Sequence, residues 1–214
     1  MIGYKIKTTY HHGDLKNALL DAADEILLSK GLQGFTMRAC ARLANVSHAA
    51  PKHHFGDING LLTEVAMRGF DRLVTLLQDK MQPVMDDLHA QMYAVGLAYV
   101  EFAEAYPEHF RIMFRKDLLS YNTQSPPRQI AVTYATLINV VLRQRGEPEI
   151  SEIESMASLN GEVIKDIFMC WSNIHGYAHL RLEGQLNSIP EKTHLEILRE
   201  NTRQLSDLVQ KRSI

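Results

Sequence analysis

The chain has 214 residues, 45% of them hydrophobic and 22% charged, and a formal net charge of −2. That is enough for one large domain or two small ones, with the composition of an ordinary soluble globular protein. No run reaches the roughly 18 apolar residues of a membrane-spanning helix, so no membrane partner is expected.

The opening MIGYKIKTTYHHGD lacks the apolar core and small-residue cleavage site of a signal peptide. Cys40 and Cys170 lie far apart and form no metal or disulfide pattern. A reduced, cytoplasmic setting is therefore expected. The charge is uneven. Residues 1–56 carry seven cations (Lys5, Lys7, Lys16, Lys30, Arg38, Arg42, Lys52) against four acids, a formal +3, which leaves −5 for the remainder. A basic end on an acidic body hints at a polyanionic partner.

Period-two alternation is absent and helical spacing recurs along the chain, which predicts an all-α fold of about nine helices. Leu15, Ala18, Leu19, Ala22, Ala23 and Ile26 form the face of a first helix, with Asp14 as its cap and Gly31 as its stop. Thr36 is placed to cap a short second helix running to about Ala44. Asn45 sits where a left-handed residue would end it. Ser47 is expected to cap a third helix, in which Pro51 is acceptable only near the first turn. Phe55 and Gly56 close it.

Asp57 is the next expected cap. Leu61, Leu62, Val65, Phe70, Leu73, Leu76 and Leu77 then keep helical spacing to about Met81, a long helix expected to join the N-terminal unit rigidly to the rest. Pro83 ends it. Leu88, Met92, Val95, Tyr99, Phe102 and Tyr106 form a buried seam, and a short helix follows around Pro107–Phe114. After a loop at 116–127, Ser125–Pro126 should start a helix carrying Ile130, Tyr134, Leu137, Ile138 and Val141, ended near Gly146. Capping boxes at Ser151 with Glu154 and at Thr193 with Glu196 should start the last two helices. The first carries Ile153, Met156, Val163, Ile167, Trp171, Ile174 and Leu182. The second carries Leu195, Leu198, Thr202, Leu205 and Val209. This gives an expected division into 1–57, a connecting helix at 58–81, and a larger helical region at 82–214.

Three helices, a tight turn between the second and third, and a basic bias suggest a helix-turn-helix. Ser47, His48, Ala49 and Ala50 would open its recognition helix. Small residues at 49 and 50 let the backbone approach base edges, and their methyls can pack on thymine methyls. Lys52, His53 and His54 lie further along, at offsets suited to phosphates. The Thr36 helix end, Arg38 and the arm residues Lys5 and Lys7 would add phosphate contacts.

The stretch FTMRACARLANVSHAAPKHHFGDINGLL, with YHHGDLKNALLDAADEILLSKG before it, resembles the DNA-binding core of the TetR family of bacterial transcriptional regulators. Further on, YPEHFRIMF and WSNIHGYAHLRLEG resemble the regulatory-domain subtype named for Trp–His–Gly, here Trp171, His175 and Gly176. The resemblance implies a dimeric repressor on a palindromic double-stranded operator. It also implies a helical C-terminal domain that binds a small molecule and dimerises through the last two helices. Three positions depart from the family pattern. Lys52 stands where an aromatic is common, Ile58 where a lysine is usual, and Asn45 in place of the turn glycine.

For the effector, Met92, Phe102, Phe110, Met113, Phe114, Tyr134, Phe168 and Trp171, with His175, are candidate lining residues for an apolar or aromatic molecule. More often, such residues at helical spacing are simply core. The alternative is an all-helical metal-binding or enzymatic protein using the histidine-rich segments. Against it, His48 and His53 are five apart, His53 and His54 diverge, and no cysteine or carboxylate lies nearby at ligand spacing. His175 and His179 share a helix face but lack a nameable third ligand. No nucleophile–base, P-loop or dinucleotide-binding signature occurs. Neither a metal, a cofactor nor a catalytic residue is expected.

Overall fold

A computed structural model describes residues 12–122, 125–151 and 159–212. Among the described residues the fold is all-helical. The nine α-helices are α1 (His12–Lys30), α2 (Met37–Leu43), α3 (Ala50–Phe55), α4 (Ile58–Met81), α5 (Leu88–Ala105), α6 (Pro107–Met113), α7 (Arg128–Gln144), α8 (Gly161–Leu182) and α9 (Glu191–Lys211). None of the described helices is long and apolar enough to cross a membrane. The chain divides into two units, the first running to Val65 and taking in Lys116–Ser120, the second comprising Ala66–Arg115 and Tyr121–Ile214. The division falls within α4.

In the first unit α1 packs on α2 and α2 on α3. Leu19, Ala23, Leu27, Cys40, Ala41, Leu61 and Val65 make the core, each at 1% exposure or less. Gly31 stops α1 at φ 63°, a left-handed conformation that costs glycine little. Thr36 caps α2 as expected, its Oγ1 accepting from the Ala39 amide at 3.1 Å. Asp57 does the same for α4, with Oδ1 accepting from Gly60 N at 2.8 Å.

The second unit is built around α5, which packs against α6, α7, α8 and α9. Its apolar residues occur nearly all round, as a central helix requires. Gly96 marks a close crossing: a Cβ there would meet Thr202 Cγ2 at 2.9 Å and Ile174 Cδ1 at 3.3 Å. Leu198, Thr202, Leu205 and Val209 of α9 are buried, so the expected seam of that helix serves the chain's own core. Leu195, the first member expected, is 41% exposed.

Several helix starts differ from expectation. Asp14 lies inside α1, which begins at His12. Ser47 does not cap α3; the helix starts at Ala50 behind a turn closed by Ala50 N on Ser47 O. Arg128 and Glu191 open α7 and α9 directly after Pro127 and Pro190, so Ser125–Pro126 lies short of the first start and Thr193 inside the second helix. Both prolines hold ψ near 145° (146° and 145°), and proline's fixed φ with that extended ψ sets the boundary more firmly than a nearby hydroxyl. Asn160 caps α8, its Oδ1 accepting from Glu162 N at 2.8 Å. The box expected at Ser151 falls away from that start, and Glu154, Ile153 and Met156 lie outside the described residues.

Candidate nucleic-acid interface and apolar cavity

The first unit presents a helix-turn-helix. Asn45 has φ 54°, the one positive φ among the described non-glycine residues. Asparagine tolerates this left-handed position better than most residues. The reversal lets Val46 N donate to Ala41 O at 3.0 Å and Asn45 N to Arg42 O at 3.2 Å, which satisfies carbonyls at the end of α2. Pro51 sits in the first turn of α3 and is buried, so its missing N–H leaves no ladder bond unmade. Gly56, at φ 76°, closes the helix.

This backbone leaves Ser47, His48, Ala49, Lys52 and His53 exposed along one continuous stretch, while Ala50 and His54 are half-buried. His54 packs between His53 and Phe55, at ring separations of 5.5 and 6.1 Å. Thr36, Arg38 and Arg42 are exposed on and before α2. Among the described residues Arg38, Arg42 and Lys52 form no ion pair, whereas Lys16 pairs with Glu64 at 2.8 Å. Those three cations remain available to an external anion. Lys5 and Lys7 lie outside the described residues. No three histidines, cysteines or carboxylates among the described residues come together as a metal site.

Within the second unit, α5, α7 and α8 line a partly open cavity of about 120 Å³. Of the residues singled out from sequence, Met92, Tyr134, Phe168 and Trp171 line it. Phe168, 49% exposed, lies at its border with solvent. Phe102, Phe110 and Met113 do not border it; they are core, at 0%, 0% and 2% exposure. Phe114 and His175 stand behind the wall, with ring centroids 4.7 Å apart.

Sequence reasoning missed Val95, Gly96, Tyr99, Ile138, Val141 and Cys170 among the lining residues. Gly96, inside a helix at a cost of about 1 kcal/mol, was the one available signal of a close approach. Tyr99 read only as core. It is 1% exposed, yet its hydroxyl accepts from Trp171 Nε1 at 3.3 Å and contacts His175 Nδ1 at 2.7 Å. Burial pushes the Tyr99 phenol well above its usual range and raises the Cys170 thiol to about 12. Burial, with His179 beside it, lowers His175 to about 4. At neutral pH the wall of the cavity is therefore uncharged.

These features agree with the comparisons to known proteins. Residues 19–65 match the domain described as bacterial regulatory proteins, tetR family, and residues 92–205 match the tetracyclin repressor-like C-terminal domain. The chain belongs to the TetR family and is a helix-turn-helix transcriptional regulator. It is similar to the uncharacterized HTH-type transcriptional regulator YvkB of Bacillus subtilis, 26% identical over 83% of this chain and 89% of that one. A solved protein of unknown function from Rhodococcus sp. RHA1 is 28% identical, with a TM-score of 0.67 over 96% of this chain and 98% of its own. A TetR-family regulator from Streptomyces coelicolor shares the fold at 14% identity, with a TM-score of 0.63 over 91% of this chain and 99% of its own.

Proposed function

We propose that the protein is a cytoplasmic homodimeric repressor that binds a palindromic operator and is released by a small apolar or aromatic effector. The observation that carries the reading is the exposed stretch Ser47–Ala49, Lys52 and His53, set directly behind the Asn45 turn. In this reading His48 and Ala49 meet base edges, with Ala50 close behind. Lys52, His53, His54, Arg38, the Thr36 helix end and the arm lysines Lys5 and Lys7 meet phosphates. Residues 1–57 form the DNA-binding part, 58–81 the connecting helix, and 82–214 the effector and dimerisation part.

Dimerisation is assigned to α8 and α9. Their inner faces are occupied by the chain's own core, while Leu180, Leu195 and Leu208 are exposed at 46%, 41% and 44%. Exposed leucines on two adjacent elements are a common mark of a protein interface. Trp171, His175 and Gly176 on α8 support the Trp–His–Gly subtype. The effector site is the α5–α7–α8 cavity, with Met92, Tyr134, Phe168 and Trp171 in its lining. Light scattering and gel retardation test the proposal together. A dimer in solution that retards duplex from its own upstream region is expected. A monomer that retards no promoter DNA overturns it.

A further inference from the structure

Part of the positive charge in the helix-turn-helix is permanent and part is conditional on pH. Between Glu25 and Asp57 the chain has four lysines and arginines (Lys30, Arg38, Arg42, Lys52), three histidines (His48, His53, His54) and no acid. The three histidines lie on the turn and on α3. Protonating them takes the formal charge of that stretch from +4 to +7, on a chain whose net formal charge is −2.

His48 and His53 are exposed and His54 is half-buried. None of the three forms a hydrogen bond or ion pair with another described residue. His54 meets the rings of His53 at 5.5 Å and Phe55 at 6.1 Å. The charged and titratable groups around them are few. Lys52 is on α3 itself; α2, which packs against α3, carries Arg38, Arg42 and the buried Cys40. Behind α2, α1 brings Glu25 and Lys30 alongside Arg42. Asp57, at the start of α4, is engaged with Gly60 N at 2.8 Å. A duplex supplies the anions this face lacks. Histidine ordinarily titrates at about 6.5, and a phosphate laid against it favours the charged form. The complex then holds more protons than the separated partners, so affinity rises as pH falls. Lysine and arginine are charged throughout this range and add no such dependence.

We propose that this face binds DNA with uptake of protons by His48, His53 and His54, so that DNA affinity responds to pH across the neutral range. The inference rests on the reading of Ser47–His54 as the DNA face.

Fluorescence anisotropy of the full chain with a random-sequence duplex, at pH 8 and pH 6 over a series of salt concentrations, tests it. Random duplex isolates the electrostatic part of binding. From pH 8 to pH 6 the affinity should rise roughly tenfold or more, and the salt slope should steepen by about one to two units. Replacing all three histidines by glutamine should bring the ratio of the two affinities to within about twofold of unity. His53→Gln alone, at an exposed position, should give an intermediate ratio, and it decides the matter if the triple variant does not fold. Lys52→Ala should weaken binding at both pH values and keep the ratio. An affinity that is the same at both pH values overturns the inference, and so does a ratio unchanged in His53→Gln and in the folded triple variant; in both cases the DNA face stands. If the chain binds no duplex at either pH, the reading of the DNA face falls as well.

Discussion

The hydroxyl of Tyr99 donates to Nδ1 of His175 across 2.7 Å. The direction follows from its other partner, because Trp171 Nε1–H, 3.3 Å away, can only donate. The phenol must accept from the indole and spend its own proton on the imidazole. His175 is thereby neutral, with its proton on Nε2, and α5 is tied to α8 by a directed run of three side chains. Phe110 and Phe114 pack on the imidazole, at 5.2 and 4.7 Å. Protonating His175 would break the bond from Tyr99.

A pH dependence follows from this arrangement. Burial and then His179 hold His175 at about 4, below the ordinary 6.5, so the unfolded chain takes up this proton first. The stability from this group is fully present above about pH 6.5 and is lost as pH falls toward 4. Melting temperatures from pH 7.5 to 4 should fall less steeply for His175→Gln than for the unaltered chain. Parallel curves would contradict the assignment.

Asp166, with its side chain 1% exposed, is held by Arg145 and by Arg212, the latter at 2.8 Å. The two arginines differ in exposure, at 8% for Arg145 and 49% for Arg212. Asp166→Asn takes one of two carboxylates from Arg145, which keeps Glu147 at 2.7 Å, and should cost about 2 kcal/mol in urea unfolding. Arg212→Ala should cost less than about 1 kcal/mol, since its charge is half in water. Equal losses would mean that burial is not what sets the strength of this pair.

Gly60 closes the connection between α3 and α4. A Cβ there would fall 2.0 Å from the carbonyl oxygen of Phe55, a backbone atom that cannot step aside alone. Gly60→Ala should therefore destabilise the first unit by about 2–3 kcal/mol. Amide exchange in α2 and α3 should accelerate, with the amides of α5 little changed. Unaltered protection in α3 would show that the turn relaxes freely.

Lys52 is exposed and forms no ion pair among the described residues. If it meets phosphate, Lys52→Ala weakens binding to specific and random duplexes alike and flattens the salt slope by about one unit. Loss of sequence discrimination alone would move Lys52 from the backbone to the bases.

Much of the first unit is legible in the sequence because its determinants are local. Thr36 and Asp57 each bond an amide three residues on, and Asn45 adopts a backbone state that few residues tolerate. The starts of α7, α8 and α9 were less legible. Ser151 and Thr193 carried the pattern of a capping box, but Asn160, Pro127 and Pro190 set the boundaries. The cavity was least legible, because its wall exists only once α5, α7 and α8 pack. Phe102 and Phe110 have the same chemistry as Phe168 and occupy similar helical seams, yet two fill the core and one borders the cavity. Nothing in their spacing separates them. The exchange at Lys52 and Ile58 is plain in the sequence, and the structure leaves Lys52 exposed beside His53.

Selecting bound duplexes from a random pool with the purified chain tests the central claim most directly. The account predicts a two-fold symmetric consensus whose half-sites lie about one helical turn apart, roughly 34–36 Å, with discrimination lost when His48 and Ala49 are replaced together. An asymmetric consensus, or no enrichment over random sequence, would contradict it.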